Sequence, residues 1–234
     1  MRDGIEGIAF DLDGTLYPNY RLNIRLIPFV FKEFRLLSAF GKARNIIRKE
    51  QENGQIPQED FYRYQAEVTA KKLKVPSDSL KEKIDLLIYR GWEPLFKNIK
   101  IFKNVNETLA GFSKAGYKLG VLSDFPPDIK LGYLGLAGGE GSGYRWDVIH
   151  CSEHCGALKP HPLPFKKLAE AMALPPEKIL YVGNSYSYDV IGAAGAGMKT
   201  AWIRRKFYIK CRKKEPKPDF SFSNYRQLYN FMIQ

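Results

Sequence analysis

The segment FDLDGTLY sets two carboxylates, Asp11 and Asp13, one residue apart directly after a short apolar run. Acids just past the carboxyl end of a strand stand where open α/β sheets keep their ligand sites. Two such acids can divide the work: one attacks or binds a cation, while the other, differently solvated, holds or takes a proton. Gly14 permits a sharp turn, and Thr15 is suited to tie the loop down. A plain Asp-Gly turn would use the same residues, so the pair gains meaning only in company.

That company is spread along the chain. VLSDF ends another apolar run with Ser123 and Asp124, which brings a hydroxyl and backbone N–H groups to the same sheet edge. Such donors suit phosphate oxygens, although a Ser-Asp pair also caps helices. In GALKPHP, Lys159 carries an ammonium on a loop stiffened by proline. LYVGNSYSYDV runs apolar into Gly183 and then turns polar, offering the Asn184 amide and the Asp189 carboxylate. Asn184 supplies an oxygen without the charge that a cation prefers. Two decoys also stand out. HCSEHC, residues 150–155, has the side chains of a zinc site, but His150 and Cys151 are adjacent on a strand end and point to opposite faces. GAAGAG, residues 192–197, imitates a dinucleotide fingerprint, yet it ends a helix and is expected to stop at Gly197.

The elements that must hold these residues read as a parallel α/β sheet. IEGIAF, YKLGVLS, WDVIHC, KILYVG and KTAWI are short apolar runs ending in turns, with helical patterns between the later ones. NVNETLAGFSKAG predicts a helix capped at Asn104 or Asn106 and stopped at Gly116. HPLPFKKLAEAMAL predicts one with Phe165, Leu168, Ala169 and Met172 inward, and PDFSFSNYRQLYNFM a closing strand and helix. The glycine-rich GLAGGEGSG reads as a surface loop. Between the first run and Ile101 no strand pattern is found. Phe29, Val30, Phe34, Leu37, Phe40 and Ile47 recur at helical spacing and predict the seam of a small bundle, and Pro57 and Pro76 precede two further helices. This gives a Rossmann-like core from 1–16 and 101–234, and an inserted α-helical domain from 17–100.

With 234 residues, 44% of them hydrophobic, the chain can bury a sizeable core. Three scattered cysteines argue for a reducing, cytoplasmic setting over a disulfide framework. Charges flank the short apolar run of MRDGIEGIAF, so neither a leader nor a membrane span is expected there. The net charge of +12 concentrates in residues 17–100 and 204–234, outside the strands. KFYIKCRKKEPKPD mixes cations with aromatics as a nucleic-acid surface would, yet a solvated face explains it as well, and nucleic acid is not the expected partner.

DLDGT, the serine of LSDF, the lysine of LKP and GNSYSYD occur in an order that resembles the haloacid dehalogenase superfamily, and the resemblance covers nearly the whole chain. The helical insertion looks like that family's four-helix cap. The resemblance implies a Mg²⁺-dependent phosphatase of small phosphorylated metabolites. Asp11 would form an aspartyl phosphate, and Asp13 would protonate the leaving oxygen and then activate water. Ser123 and Lys159, with the backbone at Asp124, would bind phosphate, Lys159 also offsetting the Asp11 charge. The cation would lie on Asp11, the Asp13 carbonyl, Asn184 and Asp189. This sequence departs from the family pattern at Asn184, where an aspartate is more usual. A dehalogenase is the nearest rival, but dehalogenases of the family lack the second aspartate, which Asp13 supplies. A phosphomutase shares the whole core and stays open, as does a catalytically weak nucleic-acid-binding protein.

Overall fold

Successive side chains of a strand point to opposite faces, so a strand buried on both sides must be apolar throughout. Gly-Ile-Ala-Phe meets that demand as β1 (Gly7–Phe10), the centre of a six-stranded sheet. The computed structural model describes residues 4–204 and 215–233. Its other strands are β2 (Lys118–Ser123), β3 (Val148–Cys151), β4 (Ile179–Gly183), β5 (Lys199–Ile203) and β6 (Phe220–Phe222). All pairings are parallel, in the order β3-β2-β1-β4-β5-β6. The chain moves from β1 to one side and later returns to β4 on the other, so β1 lies at the switch point where such sheets open a crevice. The register brings Phe10 level with Val121 and Val182, and the three strands deliver their following loops to one edge.

The helices are α1 (Asn19–Glu52), α2 (Phe61–Leu73), α3 (Asp78–Ile84), α4 (Val105–Lys114), α5 (Asp128–Tyr133), α6 (Pro162–Met172), α7 (Ile191–Gly195) and α8 (Tyr225–Ile233). On one face of the sheet Ile8, Phe10, Val121 and Val182 pack with Leu109 and Phe112 of α4 and Leu228 of α8. On the other, Ala9, Leu122 and Tyr181 pack with Phe165, Leu168 and Met172 of α6 and Ala193 of α7. The strand and helix expected from PDFSFSNYRQLYNFM are therefore present as β6 and α8. α4 starts after Asn104, as expected, but Asn104 makes no capping bond with its side chain.

Every element between β1 and α4 is helical: α1 to α3 are followed by a π-helical turn, Asp85–Arg90, and a 3-10 turn, Glu93–Phe96. α2 is capped by Asp60, whose carboxylate accepts the Arg63 N–H at 2.9 Å. Leu36, Phe40, Ala66, Ala70, Leu80, Ile84 and Ile88 form one cluster here. Ala43, Ile47, Phe61 and Val68 form a second, which takes in Leu158 from the sheet domain. The α/β sheet thus carries an inserted helical cap.

One expectation needs correction. The bundle seam uses Phe40 and Ile47, but Val30 and Phe34 are 40% and 64% exposed. Glu33 departs from helical geometry inside α1, which separates the helix into two parts with different inward faces. In the second part Leu36, Ala39, Phe40, Ala43 and Ile47 point inward. In the first part an apolar stripe, Tyr20, Ile24, Ile27 and Phe31, is left facing outward. The basic tail at 205–214 lies outside the described residues. No helix among the described residues is long and apolar enough to cross a membrane.

Burial assigns different weights to these positions. Ile47→Ala, at a fully buried site joining cap and core, is expected to lower unfolding stability by about 2–5 kcal/mol. Ile24→Ala, on the exposed stripe, should change it by less than about 0.5 kcal/mol. Denaturant unfolding of the two variants measures the contrast.

Candidate active site

Asp11 is the first residue beyond β1, where its backbone N–H donates to the Val182 carbonyl at 2.9 Å. Its carboxylate is buried and fully engaged. Oδ1 accepts from Lys159 Nζ at 2.7 Å, and Oδ2 accepts from the Thr15 hydroxyl at 2.7 Å. Lys159 Nζ also donates to Asp189 Oδ1 at 2.7 Å and to the Tyr181 hydroxyl at 3.2 Å. One ammonium therefore joins the loops after β1 and β4 to the loop that precedes α6. Burial raises Asp11 to about 7, with Lys159 opposing the rise and Asp189 and Asp13 adding to it. Burial works against the Lys159 ammonium, but Asp11 and Asp189 outweigh it and hold the group well above the ordinary lysine value.

The loop after β4 explains its own glycine. A Cβ at Gly183 would come within 2.3 Å of Asp189 Cβ, so only glycine lets that side chain fold back under the strand end. Asp189 Oδ2 accepts the Ser185 N–H at 2.8 Å, and the Ser185 hydroxyl accepts the Tyr188 N–H at 3.2 Å. Both Asp189 oxygens are thus used inside the protein. Asn184 presents Oδ1 to the Thr15 hydroxyl at 3.4 Å, and Trp202 Nε1 donates to its carbonyl at 2.9 Å. Gly14, with φ at +89°, leaves room for the Asn184 amide nitrogen, which a Cβ there would meet at 2.4 Å.

Asp13 stands nearer solvent than Asp11 and borders the same cavity of about 280 Å³. Its Oδ1 accepts from the Tyr17 hydroxyl. Its Oδ2 lies 3.5 Å from the Ser123 hydroxyl and 3.3 Å from Lys130 Nζ. The cavity is also lined by Asn19, Phe125, Asn184 and Tyr188. The two aspartates thus differ in solvation and in partners, as a division of roles requires.

Asp124 is placed differently from the other phosphate-facing candidates. Its carboxylate clasps the cap: Oδ2 accepts from Arg48 Nη2 at 2.7 Å, and Oδ1 accepts from the Ser152 hydroxyl at 2.6 Å and the Lys159 N–H at 3.1 Å. Arg48 Nε donates to the Lys159 carbonyl at 2.9 Å, and its guanidinium lies 4.4 Å from the Tyr188 ring centroid. Arg44 pairs with Glu153 and with Gln65, and Gln51 bonds Gly156 and Leu158. In HCSEHC, Glu153 is hydrogen-bonded to the cap and the His154 ring lies against Tyr62. Among the described residues, no three His, Cys, Asp or Glu side chains are arranged to hold a metal by themselves. Sequence reasoning missed Arg44, Arg48 and Lys130. Polar residues at 44, 48 and 51 interleaved with Ala43 and Ile47 on one inward helix face were the available signal for the first two. Lys130 had none.

Comparison with solved structures finds this fold in a phosphatase and in dehalogenases, among others. An HAD phosphatase from Thermococcus onnurineus matches with a TM-score of 0.62 over 98% of both chains, at 20% identity. A 2-haloacid dehalogenase from Pseudomonas syringae matches at 0.64 over 97% of this chain and 98% of the other, at 22% identity. The profile of haloacid dehalogenase-like hydrolases matches residues 5–197, so the chain belongs to that family. Among curated relatives, a glyceraldehyde 3-phosphate phosphatase of Methanopyrus kandleri is 29% identical over 96% of this chain and 95% of its own length.

The clasp at Asp124 carries a pH signature. Burial alone would raise this carboxyl, but Arg48, Lys159 and Arg44 hold it well below the usual carboxylate range. A carboxyl depressed in the folded state contributes stability above its unfolded value of 3.8 and loses it as pH falls towards the folded value. Asp124→Asn should therefore destabilise the protein most above about pH 4, with the gap to the parent narrowing below it. Unfolding temperatures measured across acid pH read the effect.

Proposed function

We propose that this protein is a Mg²⁺-dependent phosphatase of small phosphorylated metabolites, with residues 17–100 as its cap domain and Asp11 as its nucleophile. One observation carries the reading: Asp11, tied to a buried lysine, and Asp13, nearer solvent, border one cavity at the switch point of the sheet. The relatives named as phosphatases support it, as does Asp13, the acid that an alcohol leaving group needs. Cys151 and Cys155 are free thiols, in keeping with a cytoplasmic setting.

The donor set suits a hard cation. Asp11, Asp13 and Asn184, each bearing side-chain oxygen, line one cavity. Mg²⁺ commonly takes one or two carboxylates and fills its remaining positions with water and substrate phosphate. Asp11, Asp13 and Asn184 would hold it, with Asp189 contributing through the loop it fixes. When bound, the cation supplies positive charge to the phosphoryl oxygens and to Asp11.

The residues themselves account for the two transfers. Asp11 attacks phosphorus, forming an acyl phosphate as the bond to the leaving oxygen breaks, and Asp13 gives its proton to that oxygen. Water then attacks the same phosphorus, Asp13 recovers a proton from it, and the bond to Asp11 breaks to release phosphate. Lys159 keeps the Asp11 carboxylate oriented and offsets charge on the phosphoryl group, while Ser123 stands at the opposite side beside Asp13. Phosphoryl transfer asks for such positioning and charge neutralisation above all.

Hydrolysis of a generic aryl phosphate tests this directly. Activity should need Mg²⁺, disappear on chelation, and fall to background in Asp11→Asn. Turnover that survives Asp11→Asn would overturn the nucleophile assignment. Asn184→Asp should tighten Mg²⁺ by about tenfold, because ligand charge tunes cation affinity. Titration of activity against Mg²⁺ gives the comparison.

A further inference from the structure

The first part of α1 carries an apolar stripe that the fold leaves uncovered. Tyr20, Ile24, Ile27 and Phe31 recur every three or four residues, so they share one helix face about 16 Å long. They are 52%, 60%, 48% and 85% exposed. Beyond the departure at Glu33 the apolar surface continues over Phe34 and Val75, which wall a groove of about 620 Å³. Single exposed apolar side chains are ordinary, but a contiguous row of large ones marks an interaction surface. The charges beside the row have one sign. Residues 19–32 contain Arg21, Arg25 and Lys32 and no acid, and helical spacing sets these three on one flank of the stripe. Arg25 donates to the carbonyls of Leu95 and Lys97, so its charge meets no opposing one. Among the described residues Arg21, Lys32 and Arg35 pair with no carboxylate either. The next acid along the helix, Glu33, is already neutralised by Lys83 at 2.9 Å.

We propose that this face of α1 rests on an anionic lipid surface, independently of what the catalytic cavity hydrolyses. A helix that lies in a membrane interface joins an apolar face to flanking cations, and the stripe with Arg21, Arg25 and Lys32 has both parts. Long basic side chains bury their stems against the apolar row and keep their charged heads at the level of lipid phosphates. Tyr20 suits the same boundary, with an apolar ring and a polar tip. The contact is superficial, since no helix among the described residues is long and apolar enough to cross. Charge argues against a second copy of the chain as the occupant. A two-fold contact sets the same patch against itself, which would bring these unpaired cations face to face. Shape argues against a peptide. Peptides dock in grooves or along sheet edges, whereas Tyr20 to Phe31 occupy the outward face of one helix, which a lipid boundary covers without a matching groove.

Flotation of the full chain with vesicles tests this, using phosphatidylcholine mixed with phosphatidylserine and phosphatidylcholine alone. Binding should be at least about tenfold stronger to the anionic vesicles and should weaken with added salt. Ile24→Ser combined with Phe31→Ser should lower it by at least about tenfold, because two large side chains lose their apolar burial in the lipid. Both positions are exposed, so the double variant should keep the parent's unfolding midpoint. Lys32→Gln should weaken binding about fivefold, while Lys114→Gln, at an exposed position on α4 of the sheet domain, should leave it unchanged. Equal binding to neutral and anionic vesicles, binding that survives the double variant, or equal losses in Lys32→Gln and Lys114→Gln would each overturn the proposal. A concentration-dependent dimer in light scattering that the double variant abolishes would overturn it too, and would assign the face to a second copy. Failure on vesicles with the parent remaining monomeric would leave a protein partner in its place.

Discussion

The ammonium of Lys159, buried between Asp11 and Asp189, is the interaction on which the rest of the site depends. Three groups that would each be costly alone in a desolvated place become tolerable together. Removing one partner from such a set leaves an unpaired buried charge, which typically costs about 3–5 kcal/mol. The geometry is correspondingly over-determined. Thr15 holds the second oxygen of Asp11, the Ser185 N–H holds the second oxygen of Asp189, and Tyr181 steadies the lysine from the floor of the sheet.

The cap is joined to this arrangement through polar bonds as well as packing. Asp124 accepts the backbone N–H of Lys159 with one oxygen and the Arg48 guanidinium with the other. Lys159 and the cap therefore share a single carboxylate, and Arg48 returns to bond the Lys159 carbonyl. The apolar contribution at this junction is the cluster of Ala43, Ile47 and Phe61 with Leu158. A cap held in this way bears directly on the loop that carries Lys159, so its seating and the position of the ammonium are mechanically one.

Much of the core was legible because it obeys short-range rules. The apolar runs before Asp11, Ser123 and Asn184 are strands buried on both faces, and their period of two assigns each residue to a side. The glycine at 183 ends β4 where the sequence turns polar. What could not be read was the inward face of α1. The departure from helical geometry at Glu33 changes which residues point inward, so Val30 and Phe34 leave the seam that their spacing suggested. Asp124 was legible as a residue of the site's edge, but its partners, Arg44 and Arg48, come from a helix far away in the chain.

By itself the sequence determined the parallel sheet, the helical insertion and the residues at the strand ends, because propensity, periodicity and turn chemistry act over a few neighbours. Only the tertiary structure decided how their charges are spent. Asp189 is a clamp on Lys159, Asp124 is an anchor for the cap, and Lys130 is a cation beside Asp13. Such roles follow from burial and from which opposite charges meet, and those meetings join residues that are distant in the chain.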